Sequence, residues 1–367
     1  MERAYKAALA CLPDMSVLAL PRLHGLVGDA EELWNVLRSG GPRAAALVGE
    51  EKAALWREAC RSTEPSEVLE GLKRRGIRVL MPKDAGYPER LREIFDPPYL
   101  LFVVGGEPPR EAPFVAVVGS RRASDYGRWA AEGLGMELAR RGVVVVSGAA
   151  YGVDGHAHQG CLKKGGFTVA VLGCGVDRVY PAGHAGLLAR IAGSGCLLSE
   201  YPPGTEPLPW RFPHRNRIIA GLSHVVVVVE ASCRSGALIT AEMALEEGRE
   251  VMALPGPINS NLCRGSNALI QKGAKLVSCV DDICEEFPPG LTWNVETTTP
   301  EVRDGPGDLS RGENEILELL REGRRKLDWL ALKTGEPPGN LLSKLASLTL
   351  RGWVAEEAGG WYRLVRG

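Results

Sequence analysis

Seven short apolar runs, most ending in glycine, serine or a charged residue, limit what the middle of this chain can fold into. The clearest begins at Phe114, continues Val115-Ala116-Val117-Val118 and breaks into Gly119-Ser120-Arg121-Arg122-Ala123-Ser124. Residues 143–146 run into Ser147-Gly148, 169–172 into Gly173-Cys174-Gly175, and 197–198 into Ser199-Glu200. Residues 225–229 run into Glu230, 251–254 into Pro255-Gly256, and Leu276-Val277 closes the series. Runs without polar alternation suit strands buried on both faces, as in a parallel sheet covered by helices. Ligands of such sheets bind just beyond the carboxyl ends of the strands. Here those ends carry small residues and arginines, which points to an anionic ligand.

A chain of 367 residues has room for two or three domains. Its formal net charge of -1 shows no general basic excess, so any nucleic-acid contact must come from local clusters of arginine. No apolar stretch reaches the roughly 18–20 residues needed to cross a bilayer. The N-terminus, with acidic Glu2, lacks a signal-peptide layout, so a cytoplasmic protein without a membrane partner is expected. The nine cysteines, including Cys233 and Cys263, form no CxxC pair and read as mostly small buried hydrophobes, not a disulfide framework. His156 and His158 lack zinc-type ligand spacing, and no metal or cofactor is expected.

Residues 1–75 read as helical, with segments 5–12, 16–20, 30–37 and 44–60 near the helix period. Strands are expected at 77–81 and 99–104. From 114 to 287, strands alternate with helical stretches at 126–141, 183–192, 237–247 and 266–272, the βαβ signature of a doubly wound fold. Residues 288–312, with Thr297-Thr298-Thr299 and several prolines and glycines, read as a linker. Helices at 313–321, 327–334 and 339–350 precede a two-stranded wing at 353–355 and 361–364, turning at Gly359-Gly360. That is the winged-helix order.

Three segments carry candidate binding chemistry. Gly119-Ser120-Arg121 stands where a strand gives way to a helix, so free N–H groups and a guanidinium can grip phosphate; a plain capped turn is the alternative. Trp210-Arg211-Phe212-Pro213-His214-Arg215-Asn216-Arg217 packs arginines with aromatics just before a helix expected at 218–222, which suits single-stranded nucleic acid. Ser235-Gly236 at a further helix start is another anion seat or a simple cap. Asp154, His156 and His158 are in principle an acid/base set, with a structural role in a strand-helix turn as the alternative. GxGxxG, Walker, GxSxG and HExxH motifs are absent.

Residues 115–124, 147–154, 171–181, 198–205, 212–221, 230–242 and 254–267 together resemble the DNA-processing protein A (DprA/Smf) family, over roughly residues 77–287. The resemblance implies an α/β fold: an extended Rossmann-like, doubly wound, mostly parallel sheet with an N-terminal helical domain and a C-terminal winged-helix domain. The expected boundaries are 1–75, 76–288, a linker at 289–311, and 312–367. It also implies a non-enzymatic, homodimeric protein that binds single-stranded DNA without sequence preference. Such proteins protect incoming strands in natural transformation and deliver a RecA-type recombinase onto them. Carried across, the pocket comprises Gly119, Ser120, Arg121, Ser147, Gly148, Phe212, Arg215, Asn216, Arg217, Ser235 and Gly236. Arg121, Arg215 and Arg217 are expected to clamp phosphates while Phe212 stacks on a base. Tyr151 and His214 depart from the family pattern by replacing basic residues. Tyr151 offers a stacking surface instead, and His214 a pH dependence near 6.5. A different class remains open: 235–242 is similar to the loop of lysine-decarboxylase-like phosphoribohydrolases, with Glu242 as the catalytic carboxylate.

Overall fold

Ala116 and Val118 of one strand pack into the apolar layer on one side of a sheet, and Val115 and Val117 into the layer on the other. Helices cover both sides, which is why these runs carry no polar alternation. The computed structural model describes residues 1–294, 311–321, 323–350, 353–357 and 360–365. The chain divides into two compact units, Met1–Val295 and Glu296–Gly367.

The first unit holds nine strands: β1 (Arg78–Leu80), β2 (Leu101–Gly105), β3 (Phe114–Val118), β4 (Val144–Ser147), β5 (Thr168–Val171), β6 (Cys196–Ser199), β7 (Val225–Val228), β8 (Glu250–Ala253) and β9 (Lys275–Leu276). Their spatial order is β1-β2-β6-β5-β4-β3-β7-β8-β9. From β6 to β9 every pairing is parallel. Only β2 against β6 and β1 against β2 run antiparallel. The chain winds outward from β3 through β4, β5 and β6, then crosses back to place β7 beside β3. The switch point therefore lies at β3, where a doubly wound sheet opens its crevice.

Six helices precede the sheet: α1 (Glu2–Ala10), α2 (Ala19–Val27), α3 (Ala30–Ser39), α4 (Pro42–Val48), α5 (Glu50–Ser62) and α6 (Pro65–Arg74). The helix expected over 44–60 is broken at Gly49, whose φ of 84° ends α4 and starts α5. Their core, with Leu9, Leu33 and Trp34, continues into Val79 of β1 and Phe102 of β2. Around the sheet lie α7 (Asp125–Arg140), α8 (Val153–Lys163), α9 (Ala185–Ser194), α10 (Arg211–Leu222), α11 (Gly236–Glu246), α12 (Arg264–Gln271) and α13 (Val280–Cys284). The layer shared with α10 and α11 includes Ile218 and Ala241; that shared with α7 and α8 includes Leu138 and Ala157. Helix α8 fills the βαβ crossover between β4 and β5, and its contact with α7 is made through glycines. A Cβ at Gly135 would fall 2.2 Å from the Ala157 carbonyl oxygen, and one at Gly160 would fall 2.1 Å from that of Glu132. The two backbones touch where an amphipathic pair would carry large side chains.

Most of the expected linker, 295–310, lies outside the described residues. Its described start is fastened to the first unit: Thr292 N donates to Glu111 O at 2.8 Å and Trp293 packs edge-on against Phe287. Among the cysteines Cys60, Cys161, Cys174, Cys196 and Cys263 are buried, whereas Cys11, Cys233 and Cys279 are exposed.

The second unit contains α14 (Arg311–Arg321), β10 (Arg325–Lys326), α15 (Leu327–Thr334), α16 (Pro338–Leu350), β11 (Val354–Glu357) and β12 (Trp361–Leu364). Strand β10 joins the wing, giving the order β10-β12-β11. Ile316, Leu330, Leu345 and Tyr362 meet in its core. Gly359 of the expected turn lies outside the described residues. No described helix is long and apolar enough to cross a membrane.

Candidate nucleic-acid interface

The loop after β3 is held by Glu230, just beyond β7, and by its own serine side chains. Ser120 N donates to the Glu230 carbonyl at 2.7 Å, and Arg122 N donates to Ser120 Oγ at 3.1 Å. Ser124 then caps α7 by accepting from Gly127 N at 3.1 Å. Its own N–H donates to Glu230 Oε2 at 2.9 Å, and its hydroxyl donates to Oε1. These bonds leave Arg121 and Arg122 projecting into solvent. Glu230 at the end of β7 thus organises the loop, a role the sequence did not reveal because it stands distant and solitary.

A cleft of about 400 Å³ opens at the switch point. Gly119, Ser120 and Arg121 line it from β3, and Phe212, Arg215 and Asn216 from α10. Ser235 and Gly236 line it from the start of α11, where Ser235 Oγ accepts from Ala237 N at 3.3 Å. Arg122 also lines it, although only its neighbour was singled out in the sequence. A narrower recess against Arg121, Phe212 and Arg215 adds Gly148.

Arg215 is 4% exposed and lies at the base of this cleft. Its Nη1 donates to the Gly148 carbonyl at 3.1 Å and to that of Val171, and its Nε donates to Asn216 Oδ1 at 3.3 Å. Burial lowers its pKa to about 10, with nearby Asp154 opposing, so the charge persists at neutral pH. Arg121 rests 5.2 Å from the centroid of Phe212, Arg215 lies 5.9 Å from it, and the Tyr180 ring is 5.1 Å away. Phe212 is therefore already packed, and a base reaching it must displace a neighbour.

Ser147 and Arg217 do not join the cleft. Ser147 is fully buried and its hydroxyl donates to the Val117 carbonyl at 2.7 Å, tying β4 to β3. Arg217 donates through Nη2 to Glu200 Oε1 and Oε2 at 2.8 and 2.9 Å, and through Nε to Asp96 Oδ2 at 2.8 Å. The reason is local: the segment expected to be a loop is the first part of α10. Two residues along a helix turn the side chain by about 200°, so Arg215 and Arg217 point to opposite sides.

The pH dependence expected of His214 is corrected in the same way. Burial, and then the Arg217 charge, push its pKa down to about 4, and Nδ1 lies 3.1 Å from Tyr201 Oη. Tyr151 is exposed but packs edge-on against His184 and is not among the residues lining the cleft. Asp154, His156 and His158 form no acid/base set. Asp154 accepts from Gly148 N at 3.1 Å, His156 faces Glu132 at 3.7 Å, and His158 Nδ1 meets Thr168 Oγ1 at 2.7 Å. Burial raises the Asp154 pKa and lowers that of His158 to about 3. Glu242 is exposed on α11 and does not line the cleft. In the second unit, Lys344 of α16 forms an ion pair with Glu336.

Two family models match the chain: DNA recombination-mediator protein A over residues 78–288, and the DprA winged helix domain over 300–360. The putative DNA processing protein DprA of Mycobacterium tuberculosis is 38% identical over 380 residues, covering 99% of this chain and 94% of its own. Protein Smf of Escherichia coli is 42% identical over 294 residues, 78% of each chain. The X-ray structure of DprA from Streptococcus pneumoniae superposes with a TM-score of 0.64 at 38% identity, over 78% of this chain and 99% of that one. A Helicobacter pylori DprA structure, described for its single-stranded DNA binding mode, gives 0.52 at 31% identity over 57% and 94%. With its doubly wound sheet, its winged helix and relatives aligned along nearly its whole length, this chain belongs to the DNA recombination-mediator protein A (DprA/Smf) family.

Proposed function

We propose that this protein binds single-stranded DNA in the switch-point cleft without sequence preference. It acts as a cytoplasmic, homodimeric mediator that protects incoming strands and delivers a RecA-type recombinase onto them, with no catalytic step. The observation that carries this reading is the pairing of exposed Arg121 and Arg122 with buried Arg215 around one cleft that also receives the N-terminus of α11. Guanidinium groups and helix-start N–H groups bind phosphate oxygens, which every sequence presents alike. No base-edge reader is needed for such binding. Among the described residues that line the cleft, the carboxylate is Asp154, which is held by Gly148 N and faces Arg215. Single-stranded DNA binding named for the Helicobacter pylori relative supports the choice of ligand.

The test is fluorescence anisotropy with labelled oligo-dT, in competition with unlabelled single strands and duplex of equal length. Single strands are expected to compete and duplex to compete poorly. Arg121→Ala should weaken all sequences about equally and flatten the salt dependence by about 0.7 in the log-log slope, the value for one phosphate contact on a single strand. An unchanged slope removes Arg121 from the interface. Release of free base from nucleoside monophosphates would instead establish the enzyme reading.

A further inference from the structure

Trp129 of α7 is 73% exposed, and Tyr126 one turn earlier is 38% exposed. Their rings stand 6.2 Å apart at an angle of 35°. Gly127, Ala130, Ala131 and Leu134 carry the buried face of the helix, so the core has no use for the tryptophan. A lone exposed hydrophobe needs no explanation. This pair differs in where it stands. Helix α7 springs directly from the cleft loop carrying Arg121 and Arg122. The Tyr126 hydroxyl donates to the Pro255 carbonyl at 3.0 Å, and the segment that follows supplies Leu262 to the cleft wall. The aromatic pair thus marks the junction of two segments that both reach the cleft.

Charge and stacking surface complement each other along this rim. Arg121 and Arg122 are exposed, and neither forms an ion pair among the described residues. Inside the cleft Phe212 is already packed by Arg121 and Tyr180. The cleft is therefore rich in phosphate donors and poor in open aromatic faces, whereas Trp129 offers an open aromatic face.

We propose that Tyr126 and Trp129 form a base-stacking platform that extends the single-strand track beyond the cleft, along the start of α7. This rests on the cleft being the single-strand site. Every base offers a π-face, so such a platform keeps binding tolerant of sequence. The full chain, Trp129→Ala, Trp129→Phe and Arg121→Ala are titrated against oligo-dT of increasing length. The shortest oligonucleotides that bind are expected to bind Trp129→Ala and the parent equally. Longer ones should lose roughly tenfold on Trp129→Ala, the loss of about one stacked base, with most of it regained by Trp129→Phe. Arg121→Ala should weaken every length and so reports on the cleft alone. If the parent and Trp129→Ala agree at all lengths while Arg121→Ala is weakened, the platform is overturned and the cleft stands. If no single strand binds the parent, both fall together.

Discussion

Gly152 stands at φ 76° directly under the cleft loop, and a Cβ there would lie 2.2 Å from the Ser120 carbonyl oxygen. The obstacle is backbone, so it cannot swing aside as a side chain would. Gly152→Ala is expected to cost about 1–3 kcal/mol in backbone strain and to push the 119–121 peptide out of place. Urea denaturation should show the lost stability, and anisotropy should show weakened single-strand binding. His214 provides a second expectation at this scale. With its pKa near 4 it stays neutral across the physiological range. His214→Asn should therefore leave the pH profile of binding between 5.5 and 7.5 unchanged, and a step near 6.5 that disappears in the variant would reverse that assignment. Arg121 is legible in the sequence because it directly follows a strand end, and Arg215 because it stands in a cluster of arginines and aromatics, whereas Gly148 enters only through the family resemblance; all three line the cleft or its recess. The partners of Arg217 were not, since Asp96 and Glu200 come from remote segments and only the fold brings them together.

Helix α10 does two jobs with two arginines, one turned to the cleft and one to the interior. Removing one member of a buried ion pair leaves the other desolvated and unpaired. Arg217→Met is thus expected to destabilise by about 3–5 kcal/mol, and the double variant with Glu200→Gln to recover much of that loss. Equilibrium denaturation measures both. The salt slope of binding should stay at the parent value in the double variant, unlike in Arg121→Ala. The sequence places the start of this helix at 218 because its first half has no apolar stripe; polar side chains are buried there by pairing, which hydrophobic periodicity does not register. The bounds of helix α8 carry a weak signal for a related reason, its packing against α7 being made by Gly135 and Gly160. The strands, buried on both faces, left a plain signal, and their expected positions agree with those found to within a residue or two.

Across the whole molecule, burial of neutral histidines links stability to pH. His158 has its pKa lowered to about 3 from 6.5, by burial above all. The unfolded chain takes up that proton first, so the contribution is complete above about pH 6.5 and is lost as pH falls toward 3. The decline of Tm between pH 6.5 and 4 should be shallower in His158→Asn than in the parent, whatever its effect on Tm at neutral pH. The doubly wound order was legible because alternating strands and helices leave few topologies. The antiparallel pairing of β1 and β2 carried no such signature.

The cleft walls come from stretches around 119–122, 148–154, 212–216 and 232–240, brought together only when β3, β4 and β7 are all aligned. An oligonucleotide held by such walls has nothing to hold on a chain with the sheet undone. Occupancy and cooperative assembly of the sheet are then one equilibrium, and each added strand pulls the population toward the native form. At a hundred times the dissociation constant that pull is worth about 2.7 kcal/mol. The melting transition itself becomes a gauge of ligand, rising steadily with oligo-dT and standing still when the nucleic acid is left out.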